Sequence, residues 1–297
     1  ATNVYLLGGS NSTPAAFTAS QMSNRVWIAC TNFFLAAGAM IDVGGRGYAR
    51  GTTGEGPGGG GNRAGAGYGG VGGNFGGVGG RAYGLADAPF EPGSGGGGAS
   101  AGNGGGAVMI QTPGGTVTIN GIIAANGGSG ALNDGGGSGG GIYIICNTLA
   151  GTNGVVSATG GGVAGTAGCG GGGRIAVSYS GAANPGIMFT AAGNTAGSYP
   201  ADLGTLHFPD NQLLTSPIVH SGQWAVPGAT NLDFDTLILS NCSIRFFQDG
   251  TRITTTNDLV ISGAGARLEI GSDTFMTNGS YLDLNLNRRF YNSGSTP

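Results

Sequence analysis

Few residues of this chain have the chemistry that catalysis requires. Asp233 and Asp235 are two residues apart, which places both on one face of a strand, and Arg245 follows nearby. Two carboxylates of this kind could serve as the acid and base of a polysaccharide hydrolase or lyase. The alternative is a solvated junction between a loop and a strand. We expect the junction, because a lyase needs cations to stabilise charge on an acidic sugar and the chain has no lysine.

Other catalytic and metal-binding patterns are weaker. Ser138 fits the nucleophile-elbow pattern G-x-S-x-G, but it lies in a glycine run without the strand and helix that this elbow needs. His207 and His220 are well separated in the sequence, and no zinc-binding spacing surrounds them. The sequence therefore predicts no enzymatic activity, no metal and no cofactor.

The charge pattern argues against two classes of partner. The basic residues are eleven arginines and two histidines, and the formal net charge is −3. A P-loop requires lysine and a nucleic-acid groove requires excess positive charge, so we expect no nucleotide or nucleic-acid partner. The most apolar stretch, Val26 to Ile41, falls short of the roughly 20 residues that span a bilayer. We predict two strands there and no membrane insertion.

An internal repeat organises the first two thirds of the chain. Four segments consist of an apolar strand, a turn, a second strand and a glycine-rich return, with turn glycines at Gly38, Gly121, Gly154 and Gly186. The last three glycines recur at an interval of about 33 residues, whereas the first gap contains an insertion. Each repeat is too small to bury its own apolar face, so neighbouring copies must cover it. The pattern predicts an all-β fold, a parallel β-solenoid or β-helix.

The insertion is unusual in composition. Residues 44–106 contain 30 glycines in 63 positions, with tyrosines and phenylalanines scattered among them. One interpretation is a flexible linker, and the other is ordered packing of extended, polyproline-II-like glycine strands. We favour the ordered form, because so long a structureless loop inside a compact body is uncommon.

The chain changes character after this region. From residue 206 glycine becomes rarer, and Leu237 and Leu259 begin similar strands at a shorter interval of about 22 residues, as in a smaller β-helix coil. The sequence thus divides into N-terminal strands with a first coil (1–43), the glycine-rich insertion (44–106), coils of about 33 residues (107–205) and a C-terminal β-helix-like region (206–297).

The four cysteines allow several arrangements. Cys30 and Cys146 occupy equivalent repeat positions, and an intervening coil would hold them too far apart to bond. We therefore expect buried free thiols at these two positions. Cys146 and Cys169 are the candidate disulfide, since they could meet across one coil.

The block GGGSGGGIYIICNTLAGTNGVVSATGG (Gly135 to Gly161) and a return ending GGGGRIAVSYS (Gly170 to Ser180) resemble glycine-rich β-solenoid segments of large secreted bacterial surface proteins. The resemblance covers roughly residues 20 to 200 and implies an extracellular, non-enzymatic, structural or adhesive role. A looser similarity is to glycine-rich phage tail adhesins, whose tips pack polyproline-II strands. The first residue is not methionine, as in an exported chain after removal of its leader.

The two ends of the predicted solenoid indicate what kind of partner it binds. No polar cap is evident in the sequence, and Val4, Tyr5, Leu6 and Leu7 form an apolar, strand-like start. Uncapped edges favour head-to-tail stacking into an open filament, which insertion of this strand into a neighbour would strengthen. We predict a secreted filament subunit whose partners are copies of itself.

Three alternatives stay open. The first is an adhesin that binds surface glycans or another receptor through tyrosines and polar side chains. The second is a polysaccharide-active β-helix enzyme, and the third is an ice-binding protein. The ice-binding alternative rests on threonines that could order water on a flat face: Thr116, Thr118 and Thr254 to Thr256.

Overall fold

The computed structural model describes residues 3–6, 11–12, 25–228, 230–246, 248, 251–270, 282–286 and 290–292. These residues contain twenty β-strands and no helix. Short runs of valine, isoleucine and aromatic residues between glycine-rich turns favour this outcome, because such side chains suit a pleated sheet and glycine disfavours helices. The predicted all-β class is therefore confirmed for the described residues.

The strands are numbered in chain order. They are β1 (Asn3–Leu6), β2 (Asn11–Ser12), β3 (Val26–Ala29), β4 (Asn32–Leu35), β5 (Met40–Asp42), β6 (Ala107–Ile119), β7 (Ile122–Ala124), β8 (Gly141–Ser157), β9 (Arg174–Ser178), β10 (Gly181–Thr190), β11 (Thr205–His207), β12 (Gly222–Ala225), β13 (Asn231–Phe234), β14 (Leu237–Ser240), β15 (Ser243–Phe246), β16 (Thr251–Thr255), β17 (Leu259–Ser262), β18 (Arg267–Ile270), β19 (Leu282–Leu286) and β20 (Phe290–Asn292).

The named strands pair in parallel and form five stacks. The first stack runs β3-β6-β8-β9-β11-β12-β15-β18, the second β1-β4-β6-β8-β10, and the third β2-β5-β7-β8-β10. A long strand can belong to more than one stack. Strand β6 pairs with β3 in the first stack and with β4 in the second, and its pairing with β8 changes register between Thr112 and Thr116. The fourth stack is β13-β16-β19 and the fifth is β14-β17-β20.

The register of these stacks reproduces the spacing of the sequence repeat. Ile122 pairs with Val155, which pairs with Met188, so the offset between neighbouring strands equals the longer repeat interval. Leu237 pairs with Leu259, which is the shorter interval of the C-terminal region. The two predicted periods are therefore the offsets between neighbouring strands.

One hydrophobic core fills the space between the stacks. Phe33, Val117 and Leu149 occupy one row across β4, β6 and β8, and each is at most 1% exposed. Burial alternates along strands such as β14 and β15, as the two-residue period of a strand requires. The core extends through the C-terminal strands to Ile253 and Leu259.

A second region, which we call the glycine layer, comprises residues 44–106, 126–140, 159–173 and 192–204. Its backbone groups bond to one another from one sequence repeat to the next, for example from Gly127 N to the Thr159 carbonyl at 2.8 Å and from Gly130 N to the Gly162 carbonyl at 2.9 Å. The insertion joins the same network, since Gly102 N donates to the Gly135 carbonyl at 2.9 Å. Residues 44–106 are therefore bonded into the body, and the linker interpretation does not describe them.

Glycine is required in this layer because the backbones approach so closely. A Cβ added at Gly160 would lie 1.8 Å from the Gly170 carbonyl oxygen, and one added at Gly135 would lie 1.9 Å from that of Ala64. Side chains are admitted only where space exists, as for Tyr68, which is fully buried. The high glycine content of this layer is thus explained by the short distance between its backbone segments.

Candidate functional site

The strand edges at the two ends of the stacks are the main candidate site. At one end, β1, β2 and β3 each pair on one side only among the described residues. At the other end the same holds for β18, β19 and β20. Backbone groups on the outer edges of these strands can therefore pair with another strand.

The predicted assembly strand lies at the first of these ends. Val4, Tyr5 and Leu6 belong to β1, which pairs within the chain with Phe33, Phe34 and Leu35 of β4. Leu7 lies outside the described residues. Tyr5 is 61% exposed, and its ring centroid lies 6.0 Å from that of Phe34. The structure therefore gives β1 a partner inside its own chain on one side, and no strand of the described residues pairs with its other edge.

Side-chain hydrogen bonds hold two further residues at this end of the stacks, Trp27 and Asn32. Trp27 of β3 is 62% exposed, and its indole N–H donates to Oε1 of Gln111 at 2.7 Å. Asn32 donates from Nδ2 to Oδ1 of Asn3 at 3.1 Å and accepts from Thr116 N at 2.9 Å. Through these two hydrogen bonds, Asn32 of β4 links β6 to the exposed Asn3 of β1.

A polar groove of about 380 Å³ lies where the glycine layer gives way to the C-terminal strands. Arg245 in its wall contacts Asp202 at 2.6 Å and Glu269 at 2.8 Å. Burial lowers the pKa of Arg245, but hydrogen bonds and charge from the two carboxylates outweigh burial and raise this pKa overall. Arg245 therefore stays charged, and its two ion pairs tie β15 and β18 to the glycine layer.

The predicted acid–base pair is exposed, and Arg245 has other partners. Asp233 and Asp235 are exposed, and Asp235 accepts a hydrogen bond from Nδ2 of Asn257 at 2.8 Å. Arg245 contacts Asp202 and Glu269 instead. The two aspartates lie at the end of β13, as expected for a solvated junction.

Ser138 is fully buried in the glycine layer. Its hydroxyl accepts a hydrogen bond from Ser94 N at 2.9 Å and lies 3.4 Å from the Ser94 carbonyl oxygen, to which it donates. It therefore joins the insertion to the coil that carries it.

All four cysteines are free thiols in the structure. Thr112 of β6 pairs with Cys146, and Cys30 N donates to the neighbouring Gln111 carbonyl, so β6 separates Cys30 from Cys146 as expected. The candidate disulfide between Cys146 and Cys169 is not formed. Cys146 lies in the hydrophobic core, whereas Cys169 lies in the glycine layer, where its N–H donates to the Tyr199 carbonyl at 3.0 Å.

Burial determines the environment of both histidines. His220 is buried, accepts from Phe189 N through Nδ1 at 3.1 Å and donates from Nε2 to the Leu213 carbonyl at 3.0 Å. Burial lowers the pKa of His220, and the Leu213 contact opposes this only in part. Burial also lowers the pKa of His207, against the charge of Asp87. No group of three potential metal ligands occurs among the described residues.

The threonines do not form one exposed row. Thr255 is fully buried, and Thr254 lies between Asp233 and Asn285 in the fourth stack. Thr116 and Thr118 are half-buried on β6.

A larger groove of about 770 Å³ opens beside β10. Among the described residues, β10 pairs only with β8 apart from one bridge between Thr190 and Ser221. Exposed Met188 and Val219 line this groove together with buried Leu213. It marks the place where residues 208–217 run as a loop instead of a strand.

Sequence reasoning missed a buried cluster around Arg174. This side chain donates from Nε to the Tyr83 carbonyl at 2.8 Å and from one terminal nitrogen to Oγ1 of Thr205 at 3.1 Å. Its guanidinium lies 5.5 Å from the ring centroid of Tyr68. An arginine at the start of an apolar strand gives no sign of this, because its partners are 91 and 31 residues away.

Comparison with protein families, curated proteins and solved structures finds no match to this chain. In the part of the chain that the structure describes, no helix has the length and apolar character needed to cross a membrane.

Proposed function

We propose that this protein is an extracellular structural subunit that assembles head to tail into a filament. The observation that carries the proposal is the pair of ends at which parallel strands have outer edges without a partner among the described residues. The secreted location follows from the resemblance of residues 20 to 200 to surface-protein segments.

The proposal includes a fold more specific than parallel stacks. The fourth and fifth stacks hold the same places in chain order as the second and third, since β12, β13 and β14 follow one another as β3, β4 and β5 do. Bridges from Thr190 to Ser221 and from Ile218 to Leu239 join the two regions. We therefore infer one three-sided parallel β-solenoid, with a glycine layer of polyproline-II-like strands.

Strand polarity favours assembly in one direction. In a parallel stack every strand points the same way, so the outer edge of the last strand complements the outer edge of the first. A second copy placed above the first in the same orientation continues the stack. Such a contact is heterologous and does not close unless its rotation forms a ring, so it extends into a filament.

The composition of the first end supports self-association. Strands β1 and β3 carry no charged residue, and charge is a common device that prevents edge pairing in soluble proteins. The exposed aromatic side chains of Tyr5 and Trp27 lie on these two strands. An edge with these properties favours a strand partner over solvent.

Electron microscopy of the purified protein over a range of concentrations tests the proposal. We expect regular filaments that disappear when residues 1–7 are deleted. A matched control lacks residues 293–297, which follow β20, and should still assemble. Circular dichroism and the fluorescence of the buried Trp224 would show that both variants remain folded. Discrete particles of the full chain at every concentration would overturn the proposal and direct attention to glycan binding.

A further inference from the structure

We propose a specific joint between two copies, in which β1 of one copy pairs in parallel with β19 of the next and Val4 lies opposite Leu284. This inference rests on the proposed head-to-tail assembly and specifies the contact by which it occurs. The partner surface is thus the outer edge of a strand in a second copy of the same chain.

Chain order determines which strands meet. In the last coil, β18, β19 and β20 belong to the first, fourth and fifth stacks in that order. At the other end, β1 pairs with β4, the second strand of its coil, and β2 pairs with β5, the third. Therefore β1 corresponds to β19 and β2 corresponds to β20.

The register follows from the apolar rows. Val4 pairs with the buried Phe33, and at the other end Leu284 pairs with the buried Ile253. Placing Val4 opposite Leu284 continues one apolar row from copy to copy. A shift of one residue would instead oppose the core row of one copy to the solvent row of the other.

Shifts of two residues keep the faces but lose contacts. With Val4 opposite Leu284, all of Asn3–Leu6 lies opposite Asp283–Leu286, inside the bounds of β19. Either two-residue shift moves part of β1 beyond the end of that strand. The favoured register also places Asn3, which accepts a hydrogen bond from Asn32, at the position opposite Asp283.

The joint has a measurable length. The first stack contains eight strands, from β3 to β18, and β1 and β2 add a ninth level that holds no first-stack strand among the described residues. Strands repeat every 4.7–4.9 Å, so this joint predicts an axial rise of about 43 Å per subunit. Direct pairing of β3 with β18 would instead give about 38 Å.

Cysteine cross-linking tests the register directly. In the proposed joint Tyr5 lies opposite Asn285, and neighbouring strands are close enough for a disulfide. A mixture of the Tyr5→Cys and Asn285→Cys variants should give a covalent dimer on mild oxidation. The matched control mixes Tyr5→Cys with Asp283→Cys, which places the Cα atoms of the two cysteines about 7–8 Å apart, beyond the usual reach of a disulfide. The wild-type chain controls for its own four thiols.

We expect the first mixture to yield several times more dimer than the second, and helical reconstruction to give the longer rise of about 43 Å. Filaments with the shorter rise of about 38 Å, or with equal or reversed dimer yields, would overturn this joint and leave the filament proposal standing. Absence of both filaments and dimers would overturn the two together.

Discussion

Replacing Gly160 by alanine should destabilise the protein, because the one added carbon atom disrupts the packing of the glycine layer. The new Cβ would lie 1.8 Å from the Gly170 carbonyl oxygen and 2.5 Å from its carbon. Real Cβ atoms essentially never approach other atoms more closely than 3.0 Å. The two backbones must therefore separate by about 1.2 Å, as an overpacked interior requires. Because both groups belong to backbone, no side-chain rotation can relieve the contact.

The expected loss of stability combines two effects. Forcing a methyl group into a packed interior costs about 1–3 kcal/mol. The separation also lengthens the 2.9 Å bond from Gly170 N to the Gly161 carbonyl and strains the 2.9 Å bond from Gly160 N to the Ala192 carbonyl. Each weakened bond costs about 1 kcal/mol, which gives a total of about 3–5 kcal/mol. That is a large share of the total stability of a typical domain.

Urea unfolding followed by circular dichroism and tryptophan fluorescence measures this loss. The matched control is Gly114→Ala, because a Cβ at Gly114 meets no atom within 4 Å. This variant should be unchanged or more stable by up to about 1 kcal/mol, since alanine restricts the unfolded chain. If Gly160→Ala were as stable as the wild type, or if both variants lost the same free energy of unfolding, the close packing of backbones would be refuted.

Three further predictions concern buried polar groups. Arg174→Met should lower the free energy of unfolding by about 3 kcal/mol, because the Tyr83 carbonyl and the Thr205 hydroxyl lose their donor. Acidification through the ordinary histidine pKa of 6.5 should destabilise the protein, because burial lowers the pKa of His220 and the unfolded chain takes up the proton first. The slope from this group is at most about 1.4 kcal/mol per pH unit in urea titrations. A thiol reagent at pH 8 should leave Cys146 unmodified in the native protein, because burial raises its pKa to about 12.

Each of these predictions has its own control. The exposed Arg81→Met should change stability by less than about 0.5 kcal/mol, and equal effects would contradict the role of Arg174. His220→Gln should unfold with a shallower pH dependence than the wild type, and an unchanged slope would exclude this histidine as the cause. The half-buried Cys30 should react before Cys146, and the reverse order would contradict the described burial.

The stacked strands were predictable because their signal is carried by side chains. Valine, isoleucine and glycine recur at fixed spacing, and the interval between Ile122 and Val155 is the offset of paired strands. In the C-terminal third the shorter interval between Leu237 and Leu259 has the same meaning. Apolar rows of this kind can be recognised in a single sequence, since each copy must bury the same face.

The arrangement of the glycine layer was beyond sequence reasoning. Its contacts join backbone to backbone, as from Gly70 N to the Gly172 carbonyl, and glycine runs look alike in every register. At the candidate site, too, some features could be predicted from the sequence and others could not. The apolar start of the chain predicted a strand that inserts into a neighbouring copy, but its pairing with β4 of the same chain and the contacts of Arg245 with Asp202 and Glu269 depend on long-range packing.

The hydrogen bonds between coils give the molecule a mechanical direction. In the sheets the bonds between paired strands lie along the stacking direction, and in the glycine layer a subset of bonds also joins one repeat to the next, as from Gly130 N to the Gly162 carbonyl. A pull along that direction is therefore shared by two sets of bonds at each coil, one from the strands and one from the glycines. The glycine layer thus resists stretching beside the strands, through hydrogen bonds that join backbone directly to backbone.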